Sequence, residues 1–490
     1  MPLPNFDSRY RPTQYIKVNQ KLALPSGFRK GKNIILSREI EKINEDSLIY
    51  IGKVLEHTSP PDIFSFDVWL DIDYPYVILI PGRRGTGKSY TLGVFAEGLA
   101  FSKNETNITT KNAKHTVVII DTLGQFWQMG HKPLGNNDEE IKQISLLKEW
   151  GLDPKEIANI QVYVPYGRKS REDWMEFQIK FNEVNLEEIA GALNLDIYQD
   201  RMGQLLNHVY HRVREEGYLK GEINEITGEI RRTVKLKPKD EYDIDDFIEC
   251  IDTDIDILSP HTGFQIQTRR ALKSRLLDMK RWKIFSNEGT NIQEIYKKNY
   301  LTILNLEGVG EDYRNLIVGV LIRKIFQARE RARRKEKIFE INKSIDLAIE
   351  DISPGWLIID EAHEYCPNIG ITASKNVLIK YAKEGRSLGL GLIMATQQPS
   401  ALASQISSQA EIVISHALAF MTDIRALNDR LVNRIVQEYQ GRTDTHSFED
   451  QLRLLKPGSA VVSVLLVPRI FLMEIRPRLT VHGGIVSKME

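Results

Sequence analysis

Residues 77–93 read VILIPGRRGTGKSYTLG. An apolar run over 77–80 stops at Pro81, Gly82-x-x-x-x-Gly87-Lys88-Ser89 follows, and Tyr90-Thr91-Leu92-Gly93 opens a helix-like pattern. Strand, glycine-rich loop and helix in this order form the full context of a phosphate-binding loop. Gly82, Gly85 and Gly87 let backbone N–H groups turn inward around phosphate oxygens, where a Cβ would obstruct them. The helix N-terminus behind the loop adds partial positive charge. Lys88 has the reach for the terminal phosphates, and the Ser89 hydroxyl suits Mg²⁺. Thr86 and Tyr90 flank these two and complete the nucleotide-contacting set. The stretch predicts an α/β fold holding a nucleoside triphosphate, ATP with Mg²⁺.

Upstream, residues 1–75 look different. Short apolar stretches at 33–36, 48–54 and 63–70 are separated by Pro, Gly, Asp and Ser, the pattern of a small β domain of barrel type. Downstream, 76–130 begins the α/β core. Its next strand, TVVII over 116–120, ends in Asp121, a carboxylate at the carboxyl end of a parallel strand, where such sheets hold ligands. Asp121 either serves the metal and its waters or caps the following turn.

Residues 131–298 have mostly helical periodicity, broken by the extended run IQVYVP at 160–165, and read as an insertion on the core. Within it, 221–243 is a charged loop or hairpin, and the Arg and Lys of 268–283 form a solvated helix face or line a nucleic-acid path. The core resumes at 299–467. Its first helix ends in the basic run RKIFQARERARRKEK (323–337), again either a solvated helix end or a DNA patch.

WLII at 356–359 leads into Asp360-Glu361. An apolar strand ending in Asp-Glu is the second half of a phosphate-loop ATPase site: Asp360 for Mg²⁺, Glu361 as general base on the attacking water. The strand 388–395 ends in Thr396-Gln397-Gln398, and an amide at the neighbouring strand end makes Gln397 a sensor of γ-phosphate and water. Arg386 precedes that strand, at the sheet edge away from its own nucleotide. It is either a surface arginine or an arginine finger for a neighbouring subunit. Residues 468–490 close the chain as a polar tail or brace that docks on a neighbour or stays free.

Composition narrows the partners. Of 490 residues, Lys plus Arg and Asp plus Glu number 66 each, so general charge does not draw this chain onto nucleic acid. Cys250 and Cys366 lack metal-ligand spacing and read as reduced thiols. No run of about eighteen apolar residues occurs, which predicts a cytoplasmic protein without a membrane partner.

Together IPGRRGTGKSYTLG, IIDEAHEYCP, KEGRSLGLGLIMATQQPS and RPRLTVHGG resemble the HerA group of the HerA–FtsK hexameric DNA translocases. The likeness is good over 77–130 and 300–478 and general over 131–298. It implies a RecA-like phosphate-loop ATPase core with a mostly parallel sheet, a small N-terminal β-barrel and a helical insertion. By position it assigns Lys88 and Ser89 to phosphates and Mg²⁺, Asp360 to the metal, Glu361 as base, Gln397 as sensor and Arg386 as the finger in trans. The family often has an acidic residue where this chain has Gln125, so a metal role there falls on Asp121 alone. The resemblance further implies a homo-oligomer, a hexamer around double-stranded DNA. It also implies a nuclease partner, either NurA-like in end resection or an effector in antiviral defence. An ATP-gated scaffold that activates an effector without translocation is the alternative.

Overall fold

The computed structural model describes residues 16–18, 29–30, 33–37, 43–58, 66–223, 230–259, 263–341, 352–428, 452–464 and 470–483. Among the described residues, fourteen strands form one sheet. From one edge they run Met175–Phe177, Ile160–Pro165, Leu301–Asn305, Thr116–Asp121, Gly355–Ile359, Leu390–Thr396, Val77–Pro81 and Ile412–Ser415, all parallel to their neighbours. Ser459–Val464, Ile470–Ile475, Leu48–Val54 and Asp67–Asp71 continue antiparallel, and Asn33–Leu36 and Arg29–Lys30 finish the order.

The parallel strands are apolar at nearly every position because both faces are covered. Alternate residues enter two separate cores. Val118, Ile120, Leu357, Ile359, Leu392 and Met394 pack with the helix Glu311–Ile341 and the helical lobe. Val117, Ile119, Ile358 and Ile393 pack with the helix Lys88–Ala100. Between the strands Val77–Pro81 and Thr116–Asp121 lie Leu390–Thr396 and Gly355–Ile359. The carboxyl ends of these four strands therefore converge on one crevice.

Two expectations change here. Among the described residues, Leu48–Val54, Asp67–Asp71, Asn33–Leu36 and Arg29–Lys30 extend the core sheet through the pairing of Leu48–Val54 with Ile470–Ile475, while Ile16–Val18 and Glu56–Thr58 pair separately. The turn read at 59–62 lies outside the described residues. Likewise, 131–298 is not a pure insertion, since Ile160–Pro165 and Met175–Phe177 complete the core sheet. The rest of that stretch is largely helical, and its hairpin is Tyr218–Ile223 with Ile230–Leu236.

Several cations of the two basic helices stand in ion pairs. Arg323 meets Glu188 at 2.6 Å, Lys324 meets Glu183 at 2.6 Å, and Arg329 meets Glu336 at 2.6 Å. On the helix Ile266–Lys280, Lys273 pairs with Asp252 and Lys280 with Asp245. Cys250 and Cys366 are buried free thiols, and burial pushes Cys366 up to about 12.

Candidate active site

The loop 82–87 leaves the strand Val77–Pro81 and enters the helix at Lys88. Gly85 and Gly87 have φ of 76° and 109°, the left-handed region that favours glycine. At Gly82 the limit is space, because a Cβ would sit 2.7 Å from His416 Cβ and 2.9 Å from Thr86 Oγ1. Arg83 N–H donates to the Ala417 carbonyl at 2.7 Å, and the Arg83 carbonyl accepts from Thr86 Oγ1 at 2.8 Å and Lys88 Nζ at 3.3 Å. Burial lowers the Lys88 pKa, and the carboxylates of Glu361 and Asp360 act in the opposite sense.

Next door, Ser89 Oγ donates to Asp360 Oδ2 at 2.8 Å. Asp360 is fully buried, and burial, followed by the charge of Glu361, pushes its pKa up to about 7. A hydroxyl and a buried carboxylate thus meet where negative charge is in excess. Glu361 Oε2 adds a buried oxygen with no hydrogen-bond partner. These residues fit Mg²⁺, which Ser89 and Asp360 would hold together with phosphate and water oxygens.

Glu361 has φ 53° and ψ 47°, left-handed backbone in a non-glycine residue. Such geometry costs roughly 1–3 kcal/mol and recurs at functional sites. Here it turns the carboxylate toward the next strand end, where Gln397 Nε2 donates to Glu361 Oε1. Asp360, Glu361 and Gln397 thereby gather at the phosphate loop.

Other expected positions have different settings. Asp121 accepts from Gln125 N–H at 3.1 Å and Phe126 N–H at 2.9 Å, one on each oxygen. This is the turn-capping alternative, and burial holds its pKa up at about 6. The Tyr90 hydroxyl accepts from Arg478 N–H at 2.7 Å and its ring meets His482 edge-on, so its side chain braces the C-terminal segment. Arg386 sits in the turn Gly385–Leu388, before the seven-residue strand Leu390–Thr396 whose far end leads to Gln397. That strand length separates it from its own site by about 20 Å. It is half-exposed, 4.0 Å from Glu411.

Three groups escaped the sequence reading. His416, fully buried beneath the loop, pairs with Thr91 Oγ1 at 2.8 Å through Nε2 and with the Ser459 carbonyl at 2.9 Å through Nδ1. A carbonyl only accepts, so Nδ1 carries the proton, and burial pushes the His416 pKa down to about 4. Gly458 N–H donates to the Thr86 carbonyl at 3.2 Å, a second support for the loop. Finally, Glu97 is fully buried against Arg476 and takes Thr480 N–H at 2.9 Å. Arg476 and Thr480 therefore dock this part of the C-terminal brace on its own chain. Tyr90, Gly93 and Glu97 share one face of the helix Lys88–Ala100, and the lone carboxylate among its apolar later turns was the readable signal.

The strand–loop–helix, the Asp-Glu strand end and the amide beside it define a phosphate-loop ATPase-like α/β protein. Within that class the chain belongs to the family of the HerA helicase central domain, whose model matches residues 49–325. A probable helicase of Methanocaldococcus jannaschii is 26% identical over 217 residues, covering 43% of this chain and 38% of that protein. The DNA double-strand break repair helicase HerA of Sulfurisphaera tokodaii is 31% identical over 109 residues, 22% of this chain and 20% of its own. The matches thus span less than half the length of these relatives. Among solved structures, VirB4 of Thermoanaerobacter pseudethanolicus aligns over 88% of this chain and 97% of its own, with 13% identity and a TM-score of 0.48. No helix among the described residues is long and apolar enough to cross a membrane.

Proposed function

We propose that this chain is an ATP-hydrolysing, ring-forming motor that moves on or unwinds double-stranded DNA. In this reading Lys88 and the backbone of Gly82, Gly85, Thr86 and Gly87 bind the phosphates. Ser89 and Asp360 hold Mg²⁺, which when bound neutralises phosphate charge. Glu361 takes the proton of the attacking water, and Gln397 orients that water and senses the γ-phosphate. Arg386 serves the site of the next subunit in a hexamer. A nuclease partner, in end resection or antiviral defence, completes the assembly.

The observation that carries this reading is the junction of two adjacent strand ends, with Ser89 on Asp360 and Gln397 on Glu361. It supplies the parts of a hydrolytic site except a cation for the γ-phosphate on the far side, and Arg386 stands at the opposite edge of the sheet. The test is ATP hydrolysis by the full chain with and without duplex DNA, together with displacement of a protein roadblock from that duplex. Stimulation and displacement are expected. Hydrolysis indifferent to DNA, with the roadblock left in place, would overturn the motor reading in favour of an ATP-gated scaffold.

A further inference from the structure

The carboxylate of Glu361 is held unevenly. Oε1 accepts from Gln397 Nε2, while Oε2 is buried without a hydrogen-bond partner. His363 Nδ1 stands 3.5 Å from Oε2 and 3.2 Å from Thr396 Oγ1. Thr396 Oγ1 in turn accepts from Gln398 N–H at 3.2 Å. Side chains two positions apart do not face each other on a regular helix. The left-handed backbone at Glu361 breaks that rule and brings residues 361 and 363 together.

We infer that His363 is a positioning residue for Glu361, donating from Nδ1–H to Oε2 while Gln397 donates to Oε1. The inference rests on the reading of Glu361 as general base. These two donors fix the plane of the carboxylate. Each oxygen has a second lone pair, so one remains for the proton of a water. Long contacts of this kind tighten once a substrate closes the site. His363 touches neither phosphate nor metal in this scheme and acts only by aiming Glu361. Thr396 Oγ1, on the neighbouring strand end, accepts from the same Nδ1–H in a three-centre bond and keeps the imidazole in place.

The experiment uses the full chain with His363→Ala, His363→Asn, His363→Gln and Glu361→Gln, reading ATP hydrolysis, ATP affinity and melting temperature. His363→Ala is expected to lower kcat roughly 10- to 100-fold, the scale of a misaimed group. KM and ATP affinity should stay within about twofold, the signature of an interaction made at the chemical step. His363→Asn, which offers an N–H close to the place of Nδ1, should recover most of kcat. His363→Gln keeps the polarity, displaces the donor and should remain slow, and it stands in if the alanine variant fails to fold. Wild-type kcat in His363→Ala or His363→Gln, with Glu361→Gln inactive, would overturn the role of His363 alone. Hydrolysis persisting in Glu361→Gln would overturn the base itself.

Discussion

The guanidinium of Arg476 lies 2.7 Å from the carboxylate of Glu97, both fully buried, across 379 positions of sequence. Arg476 also donates to the carbonyls of Tyr50 and Val94, at 2.8 and 3.0 Å, and so joins three distant segments behind the phosphate loop. Glu97 also faces the buried guanidinium of Arg478 at 3.7 Å. Breaking such a buried charge cluster costs roughly 3–5 kcal/mol, so Arg476→Met and Glu97→Gln should each lower the melting temperature sharply, the second more because it leaves two buried cations without their carboxylate. Two single variants that melt like the wild type would show the pair to be dispensable.

Glu361→Gln should retain ATP with near-normal affinity and lose at least about a hundredfold in turnover, the lower range of general-base effects. Filter retention of labelled ATP beside phosphate release measures both.

Arg386→Ala should abolish hydrolysis in a pure preparation. Mixed with Lys88→Ala subunits, it should recover part of the activity, because some sites then combine an intact phosphate loop with a neighbour's intact arginine. Titrating one variant into the other while following phosphate release checks this. Mixtures no more active than their components would return Arg386 to a role within its own chain.

Tyr90→Phe removes a hydroxyl that faces Arg478 N–H, not the phosphates. Nucleotide affinity should be unchanged, while stability falls by about 1 kcal/mol, the usual net worth of a hydrogen bond. Calorimetric titration with ATP and a melting curve separate the two.

His416 predicts a pH effect whose sign follows from its burial. Its folded pKa of about 4 lies below the 6.5 of an exposed imidazole, so on acidification the unfolded chain takes up this proton first. Its contribution is complete above about pH 6.5 and is lost toward pH 4, a difference of about 3 kcal/mol. Asp121 and Asp360, whose raised pKa values act in the opposite sense, are common to wild type and variant and drop out. The stability advantage of wild type over His416→Gln should accordingly shrink between pH 7 and pH 4 in denaturant titrations.

The phosphate loop, the Asp-Glu strand end and the Gln397 strand end were legible because each is a local pattern: an apolar run, then residues fixed by backbone geometry or chemistry. The bounds 33–36 and 48–54 were legible for the same reason. What these strands pair with was not, since the ladder from Leu48–Val54 to Ile470–Ile475 joins segments far apart in sequence. Arg476 and Arg478 read as a polar tail because their compensating carboxylate, Glu97, sits inside an apolar helix far upstream. Asp121 shows the limit of position as a guide. A carboxylate at a strand end serves a ligand or a turn, and only the N–H groups of Gln125 and Phe126 tell which.

The loop that binds phosphate is held from below by Ser459, through His416, and by Gly458, through Thr86. These supports are made by residues that leave the ribosome long after the loop itself has emerged. A nascent chain arrested shortly before residue 458 should carry the whole 82–89 motif and still release ATP analogues readily. Retention should begin only as the strands Ser459–Val464 and Ile470–Ile475 are delivered. Synthesis thus imposes an interval during which the motif exists and the binding site does not.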